Sequence, residues 1–248
     1  MAPAAERELT HSEAHHHQTG GKYLADVIFG ANDGVVTTFA VVAGASGAGL
    51  PAFVVVVLGL ANLLADGLSM GLGNYLGQKS ERDYQRRQRQ REEDEVARLP
   101  DVETEEVAAV FRRWGFTGAA LTEATRAITS DPTRWVNFMM REELDIIEDQ
   151  PASPARRGLA TFLSFAAIGL LPLLPFLFGF YGPNTMLGSV AITAAALFIV
   201  GAARSLITVQ TWYWGGIQML GVGGIAAATA YLVGFAIARF FGTAAGTF

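Results

Sequence analysis

The run FVVVVLGLANLLADGLSMGLGNYLG (residues 53–77), followed by QKSERDYQRRQRQREEDEVAR (78–98), decides how this chain folds. The first part is apolar and long enough to cross a bilayer, whose hydrocarbon core of about 30 Å takes roughly 20 helical residues. The second part is dense in charge, and nothing breaks a helix until Pro100. A single helix is therefore expected to leave the membrane and continue into water from Lys79 to Arg98.

Four further stretches have the length of a crossing: about Val27 to Gly47, Leu159 to Phe180, Leu187 to Val209 and Gly215 to Ala238. The segments Gly47-Ala48-Gly49-Leu50-Pro51 and Tyr181-Gly182-Pro183-Asn184 have turn composition, so the first and second helices form one hairpin and the third and fourth another. Pro172 and Pro175 predict a kink in the third helix. Trp212, Tyr213 and Trp214 predict an aromatic belt between the fourth and fifth. Composition agrees with a membrane protein, with 51% hydrophobic residues and a mean hydropathy of +0.30. A net charge of −5 excludes the basic footprint of a nucleic-acid binder. The absence of cysteine excludes disulfides and thiolate metal sites. All four histidines, His11, His15, His16 and His17, lie in a tail, Met1 to Gly20, that has no apolar periodicity and is expected to be disordered.

Most of the 18 Lys and Arg residues fall between Lys79 and Arg157, so the positive-inside rule places that loop in the cytoplasm. Five crossings then put the N-terminus in the cytoplasm and Phe248 on the far side. The fold class expected is all-α: a polytopic membrane protein with five transmembrane helices and a cytoplasmic helical metal-binding domain inserted between helices two and three. Its parts are the tail over 1–20, helices one and two over 21–79, the inserted domain over 80–155, and helices three to five over 156–248. Within the domain, Asp101 is expected to cap a helix ending near Arg113, with Gly115 stopping it. Thr117 to Ile128 forms the next, and Asp131 followed by Pro132 opens a last one through about Glu148. Val107, Phe111, Trp135 and Phe138 belong to a core small enough that the domain should lean on a partner copy or on the membrane part.

The domain carries the acid pairs Glu92 with Glu95 and Glu103 with Glu106, each spaced i, i+3, which puts both carboxylates of a pair on one helix face. It also carries Met139, Met140 and Glu143 in the run Phe138-Met139-Met140-Arg141-Glu142-Glu143. Thioethers beside carboxylates suit a transition metal better than calcium or magnesium. The alternative is a solvated face whose acids pair with Arg86, Arg87, Arg89, Arg91, Arg112 and Arg113. Glu103 and Glu106 are expected in an exposed first turn under either reading.

Within the apolar runs, Asp33 lies in the first helix and Asp66 in the second, and an intramembrane carboxylate usually faces a cavity, a partner or an ion. Asn62, Asp66 and Met70 follow at i, i+4, i+8, giving one face an amide, a carboxylate and a thioether. They either line an ion path or glue helices together by hydrogen bonds and packing.

Gly30-Ala31-Asn32-Asp33-Gly34, Leu68-Ser69-Met70-Gly71-Leu72-Gly73-Asn74-Tyr75-Leu76, Lys79-Ser80-Glu81 and Phe138-Met139-Met140 together resemble the vacuolar iron transporter family, from about Lys22 to the end of the chain. The resemblance implies a dimeric five-helix carrier that exports Fe²⁺, and often Mn²⁺ and other transition metals, from the cytosol in exchange for protons. It implies that Asp33 and Met70 line the path and that Glu92, Glu95, Glu103, Glu106, Met139, Met140 and Glu143 bind metal in the cytoplasmic domain. Plant and parasite members have a glutamate where this chain has Asn62, and Asp66, one turn on, could supply the missing carboxylate. The metal is cargo, and no cofactor is expected. The partners are the lipid bilayer, metal ions, protons and a second copy arranged with helix one near the two-fold axis, and not nucleic acid. A eukaryote would place the protein in its vacuolar membrane, a prokaryote in its plasma or inner membrane. The rival reading is a membrane-anchored ferritin-like protein that oxidises or stores iron. Such helical sites pair Glu-x-x-His on two helices, and no histidine follows His17.

Overall fold

The computed structural model describes residues 21–147, 153–179 and 184–242. Every element among them is helical: α1 (Gly21–Gly47), α2 (Ala52–Arg98), α3 (Pro100–Arg113), α4 (Gly118–Thr129), α5 (Pro132–Glu142), α6 (Pro154–Gly169), α7 (Leu174–Leu177), α8 (Asn184–Ala203) and α9 (Trp212–Gly242). A 3-10 turn, Leu171–Leu173, joins α6 to α7, and another, Arg204–Leu206, follows α8. Five segments are long and apolar enough to cross a membrane: α1, α2, the stretch Pro154–Leu177, α8 with its 3-10 turn, and α9. The N-terminal tail with its histidines, the residues at 181–183, Glu148 and Phe248 lie outside the described residues.

The described residues fall into two compact units, one within Met1–Tyr75 and Ala152–Phe248, the other within Leu76–Pro151. Helix α2 belongs to both. Its 47 residues extend about 70 Å at 1.5 Å per residue, more than twice the hydrocarbon thickness. As expected, then, the apolar run and the charged run make one helix.

In the first unit, α1 meets its neighbours at backbone distance. A Cβ on Gly30 or Gly34 would fall on the carbonyls of Thr161 and Phe165 of α6, and one on Gly234 of α9 would fall on the carbonyl of Gly44. Gly71 of α2 and Gly158 of α6, and Gly201 of α8 and Gly215 of α9, face each other in the same way. Between these contacts lie two apolar clusters. Phe39 and Val42 pack with Val55, Leu173 and Phe176, and Val35 packs with Ala196, Leu197 and Met219. Small residues make such packing possible where lipid removes any hydrophobic drive to associate.

Pro172 and Pro175 interrupt the third crossing as a 3-10 turn and a single helical turn, and Ser189 of α8 donates a 2.7 Å hydrogen bond to the Pro172 carbonyl there. This crossing starts at Pro154, in the first-turn position that tolerates a missing N–H, rather than near Leu159. Trp212, Tyr213 and Trp214 form the first turn of α9 rather than a connection before it.

In the second unit, Pro100 rather than Asp101 opens α3: the N-cap is Leu99, and Asp101 sits in the first turn without a capping bond. Gly115, at φ +91°, ends that helix as expected. Asp131 caps α5, its carboxylate accepting from the Arg134 N–H at 2.7 Å. The helix ends at Glu142, not near Glu148, and Asp145 at φ +53° turns the chain away. Val107, Phe111, Trp135 and Met139 form the core, and Phe111 meets Trp114 and Phe116 edge-on and Phe138 at a tilt, at centroid distances of 5.3 to 5.5 Å.

The glycine contacts of α1 are directly testable. Gly234→Ala should lower the thermal stability of the purified full-length protein by about 1–3 kcal/mol, the usual cost of overpacking. Gly73→Ala, with open space around it, should leave the melting temperature unchanged or slightly raised, since alanine is the better helix former.

Candidate functional site

Three elements of the second unit converge on one group of acids: α2 supplies Glu92, the first turns of α3 supply Glu103, and the residue capping α5 supplies Glu143. One oxygen from each lies within 4.8 Å of the others. Glu92 and Glu103 are 3% and 4% exposed, so Glu103 is buried where the sequence suggested an exposed turn. With Pro100 starting the helix, Asp101 and Val102 face outward and Glu103 turns in. The Oε2 atoms of Glu92 and Glu103 are buried without a hydrogen-bond partner.

The arginines bond chiefly to other acids, and the pull of Arg91 on Glu103 and Glu143 is smaller than the effects of burial and of the neighbouring acids. Among the described residues, Arg89 pairs with Glu93, Arg91 with Glu95, Arg112 with Glu105 and Arg141 with Glu142. These pairs account for the outer acids, as the solvated-face reading expects, and leave the inner three. Burial, and then the charges of Glu143, Glu103, Glu95 and Glu106, push the Glu92 carboxyl from the usual 4.5 up to about 7. Glu103 rises to about 7 through burial and then its neighbours Glu106, Glu143 and Glu95. Glu143 is also raised, by burial and by Glu106 and Glu95.

Glu95 and Glu106 thus stand around the inner three as electrostatic neighbours. Met139 lines a cavity of about 250 Å³ with Glu106, Val110, Arg113 and Glu143. Met140, equally buried, lines a different cavity with Arg89, Asn137 and Arg141. Carboxylates that repel one another, with buried oxygens lacking partners, fit a divalent cation, which supplies the missing charge and the missing bonds together.

In the first unit, Asp33 of α1 and Asp66 of α2 are half-buried and close enough to repel each other. Asn62 Nδ2 is buried without a partner, and Met70 is half-buried on the same stripe. Asp33 shares a stripe of α1 with Phe29, which is 60% exposed, and with Thr37 and Ala40, which are only half-covered. That face of α1 is the one its own chain leaves most open. Sequence reasoning passed over Asp26 and Asn74, which meet across α1 and α2 at 2.9 Å. The available signal was Asn74 itself, which continues the four-residue spacing of Asn62, Asp66 and Met70.

With this geometry in view, the relatives of the chain can be placed beside it. Vacuolar iron transporter 1 of Oryza sativa subsp. japonica is 36% identical over 230 residues, covering 92% of this chain and 91% of that protein. A vacuolar iron transporter of Toxoplasma gondii is 37% identical over 92% of this chain and 79% of its own length, and vacuolar iron transporter 1 of Arabidopsis thaliana is 33% identical over 89% and 88%. The model of the VIT family matches residues 24–235, which takes in both groups of carboxylates and at least part of each of the five crossings, and the chain belongs to that family.

Proposed function

We propose that this protein carries ferrous iron across a membrane, taking it from the cytoplasm at Glu92, Glu103 and Glu143 and passing it through the bilayer by way of Asp33, Asp66 and Met70. Membership of a family whose relatives are named iron transporters makes it a transporter rather than an enzyme. The observation that carries the residue assignment is the buried, unpartnered oxygen on each of Glu92 and Glu103, next to Glu143. The same donors also accept Mn²⁺, which a given site binds more weakly than Fe²⁺. Glu95, Glu106 and Met139 complete the capture site, with Met140 behind it. Asn62 contributes an amide donor, which leaves Asp66 as the second carboxylate of the path.

Protons are the natural counter-substrate, because Glu92 and Glu103, at about 7, give up protons on binding an ion at neutral pH. The open stripe of Phe29 and Asp33 supports a homodimer with α1 at the two-fold axis, where a second copy completes the path. Most of the Lys and Arg residues fall between Lys79 and Arg157, which supports a cytoplasmic place for the domain by the positive-inside rule. The membrane is that of the vacuole where there is one, as the relatives' names suggest, and otherwise the plasma or inner membrane. The ferritin-like alternative is not favoured: no histidine follows His17 in the sequence, and none of the relatives named above is an oxidase or a store.

Three experiments test this reading. The first uses pH. Because Glu92 and Glu103 hold protons in the folded protein that the unfolded chain has released, their contribution to stability is present below about pH 4.5 and is lost as pH rises through 7. Metal-free protein with Glu103→Gln should therefore be more stable than wild type at pH 8 and no more stable at pH 4.5, and calorimetric titration of the full-length protein should show Mn²⁺ binding weakened by roughly tenfold or more. Equal affinity for Mn²⁺ in the two proteins would remove Glu103 from the site.

The second uses flux into liposomes. Asp33→Asn should fold and insert, since it removes an intramembrane charge, yet abolish Fe²⁺ flux and the accompanying proton movement, with Asp66→Asn nearly as severe. Wild-type flux in Asp33→Asn would mean that the ion takes another route. The third uses crosslinking. A single cysteine at Phe29, exposed where Val35 is wholly buried, should form a disulfide between copies in membranes, and no crosslink there would place α1 away from the axis.

A further inference from the structure

The stripe of α2 that carries Asn62, Asp66 and Met70 ends at Asn74, and the stripe of α1 that carries Asp33 begins two turns earlier, at Asp26, about 10 Å along the axis. Where the two ends meet, four side chains from three helices are joined. Asn74 Nδ2 donates to Asp26 Oδ1 at 2.9 Å and to Thr161 Oγ1 at 2.8 Å. Thr161 Oγ1 in turn donates to the Arg157 carbonyl at 3.1 Å. Arg157 Nε faces Asp26 Oδ2 at 3.7 Å, with the two side chains 29% and 13% exposed. That separation is too long for a hydrogen bond. Both atoms are buried and neither has a hydrogen-bond partner.

Each half of this arrangement is unfavourable by itself. Arg157 stands in the first turn of α6, where the helix dipole disfavours a cation. Asp26 is a carboxylate shielded from water and saturated on one oxygen only. The ion pair offsets both costs, but at 3.7 Å it leaves the lone pairs of Oδ2 free for a smaller and more highly charged partner.

We infer that Arg157 is a resident counter-cation of Asp26, and that the pair, braced by Asn74 and Thr161, closes this end of the α1/α2 seam until a divalent ion takes Asp26 from the guanidinium. The inference rests on the transport reading, since it supposes that the ion enters the seam here. A divalent ion brings twice the charge and binds carboxylate oxygen directly. Arginine cannot yield by losing its proton, so it yields by turning away, and its partial exposure gives it somewhere to go. Asn74 keeps Asp26 in place throughout by holding Oδ1. Arg157 is on this account a positioning residue, competing with the ion and touching it at no stage.

The test is the concentration dependence of Mn²⁺ flux through full-length protein in liposomes, with the ion supplied on the side that bears the Leu76–Pro151 unit. Arg157→Gln removes the competitor and should lower KM by about two- to fivefold, the range a part-exposed ion pair allows. Arg157→Lys, a competitor with a poorer fit, should give an intermediate KM. In an Asp26→Asn background, Arg157→Gln should leave KM unmoved. A role in folding alone would lower the yield and the maximal rate without moving KM. Should Arg157→Gln fail to fold, the intermediate KM of Arg157→Lys decides the matter. An unchanged or raised KM in the variants that fold overturns the inference while leaving transport standing, and a wild-type protein that moves no ion overturns both.

Discussion

Backbone contact between α1 and its neighbours is the constraint on which the membrane unit depends. Gly30 and Gly34 bring α1 against the carbonyls of α6, and Gly44 meets Gly234 of α9. At that distance no side chain can intervene, so α1 has no freedom to roll or slide by a residue without a clash. The direction of every polar group it carries is fixed as a result. Asp26 points at Asn74 and Arg157, Asp33 comes within repelling distance of Asp66, and the Phe29 side remains uncovered. Burying a carboxylate in hydrocarbon costs several kcal/mol, and a helix free to turn would escape that cost by rotating the acid toward water. The glycines deny it that escape.

The second unit solves a similar problem with a small core. Phe111, Trp135 and Met139 pack behind α3 and α5, and that packing turns Glu103 inward to face Glu92. Arg89, Arg91, Arg112 and Arg141 pair with Glu93, Glu95, Glu105 and Glu142, and the pull of Arg91 on Glu103 and Glu143 is outweighed by burial and by the neighbouring acids. Burial and mutual repulsion therefore hold the carboxyls of Glu92 and Glu103 at about 7 and raise that of Glu143.

Some of this was legible in the chain and some was not. The five crossings were, because length and apolarity alone dictate them, and so was the unbroken α2, because Gln78 to Arg98 holds neither glycine nor proline. The cap at Asp131 followed from Asp-Pro chemistry. The end of α5 did not, since Glu143, Leu144 and Asp145 are all compatible with a helix and it is the tertiary packing that stops it at Glu142. The i, i+3 spacing grouped the acids by helix, Glu92 with Glu95 and Glu103 with Glu106, and the fold regroups them. The structure groups Glu92 with Glu103 and Glu143, across three elements, and sets Glu95 and Glu106 at the side. No spacing rule within one helix can foresee a cluster made by three. Nor did Asp26 or Arg157 stand out, since each looks like an ordinary charge near a helix end until the fold brings them together.

The inner acids Glu92, Glu103 and Glu143 offer oxygen donors and, with Met139 nearby, a thioether, but no imidazole. Imidazole suits copper and nickel, whereas carboxylate suits manganese. A cradle of mutually repelling carboxylates holds its ion by charge more than by covalent bonding, and protons compete with the ion for the same oxygens. If the site takes up an ion as proposed, such a donor set favours turnover over storage, because each proton that returns to a carboxylate helps the ion to leave.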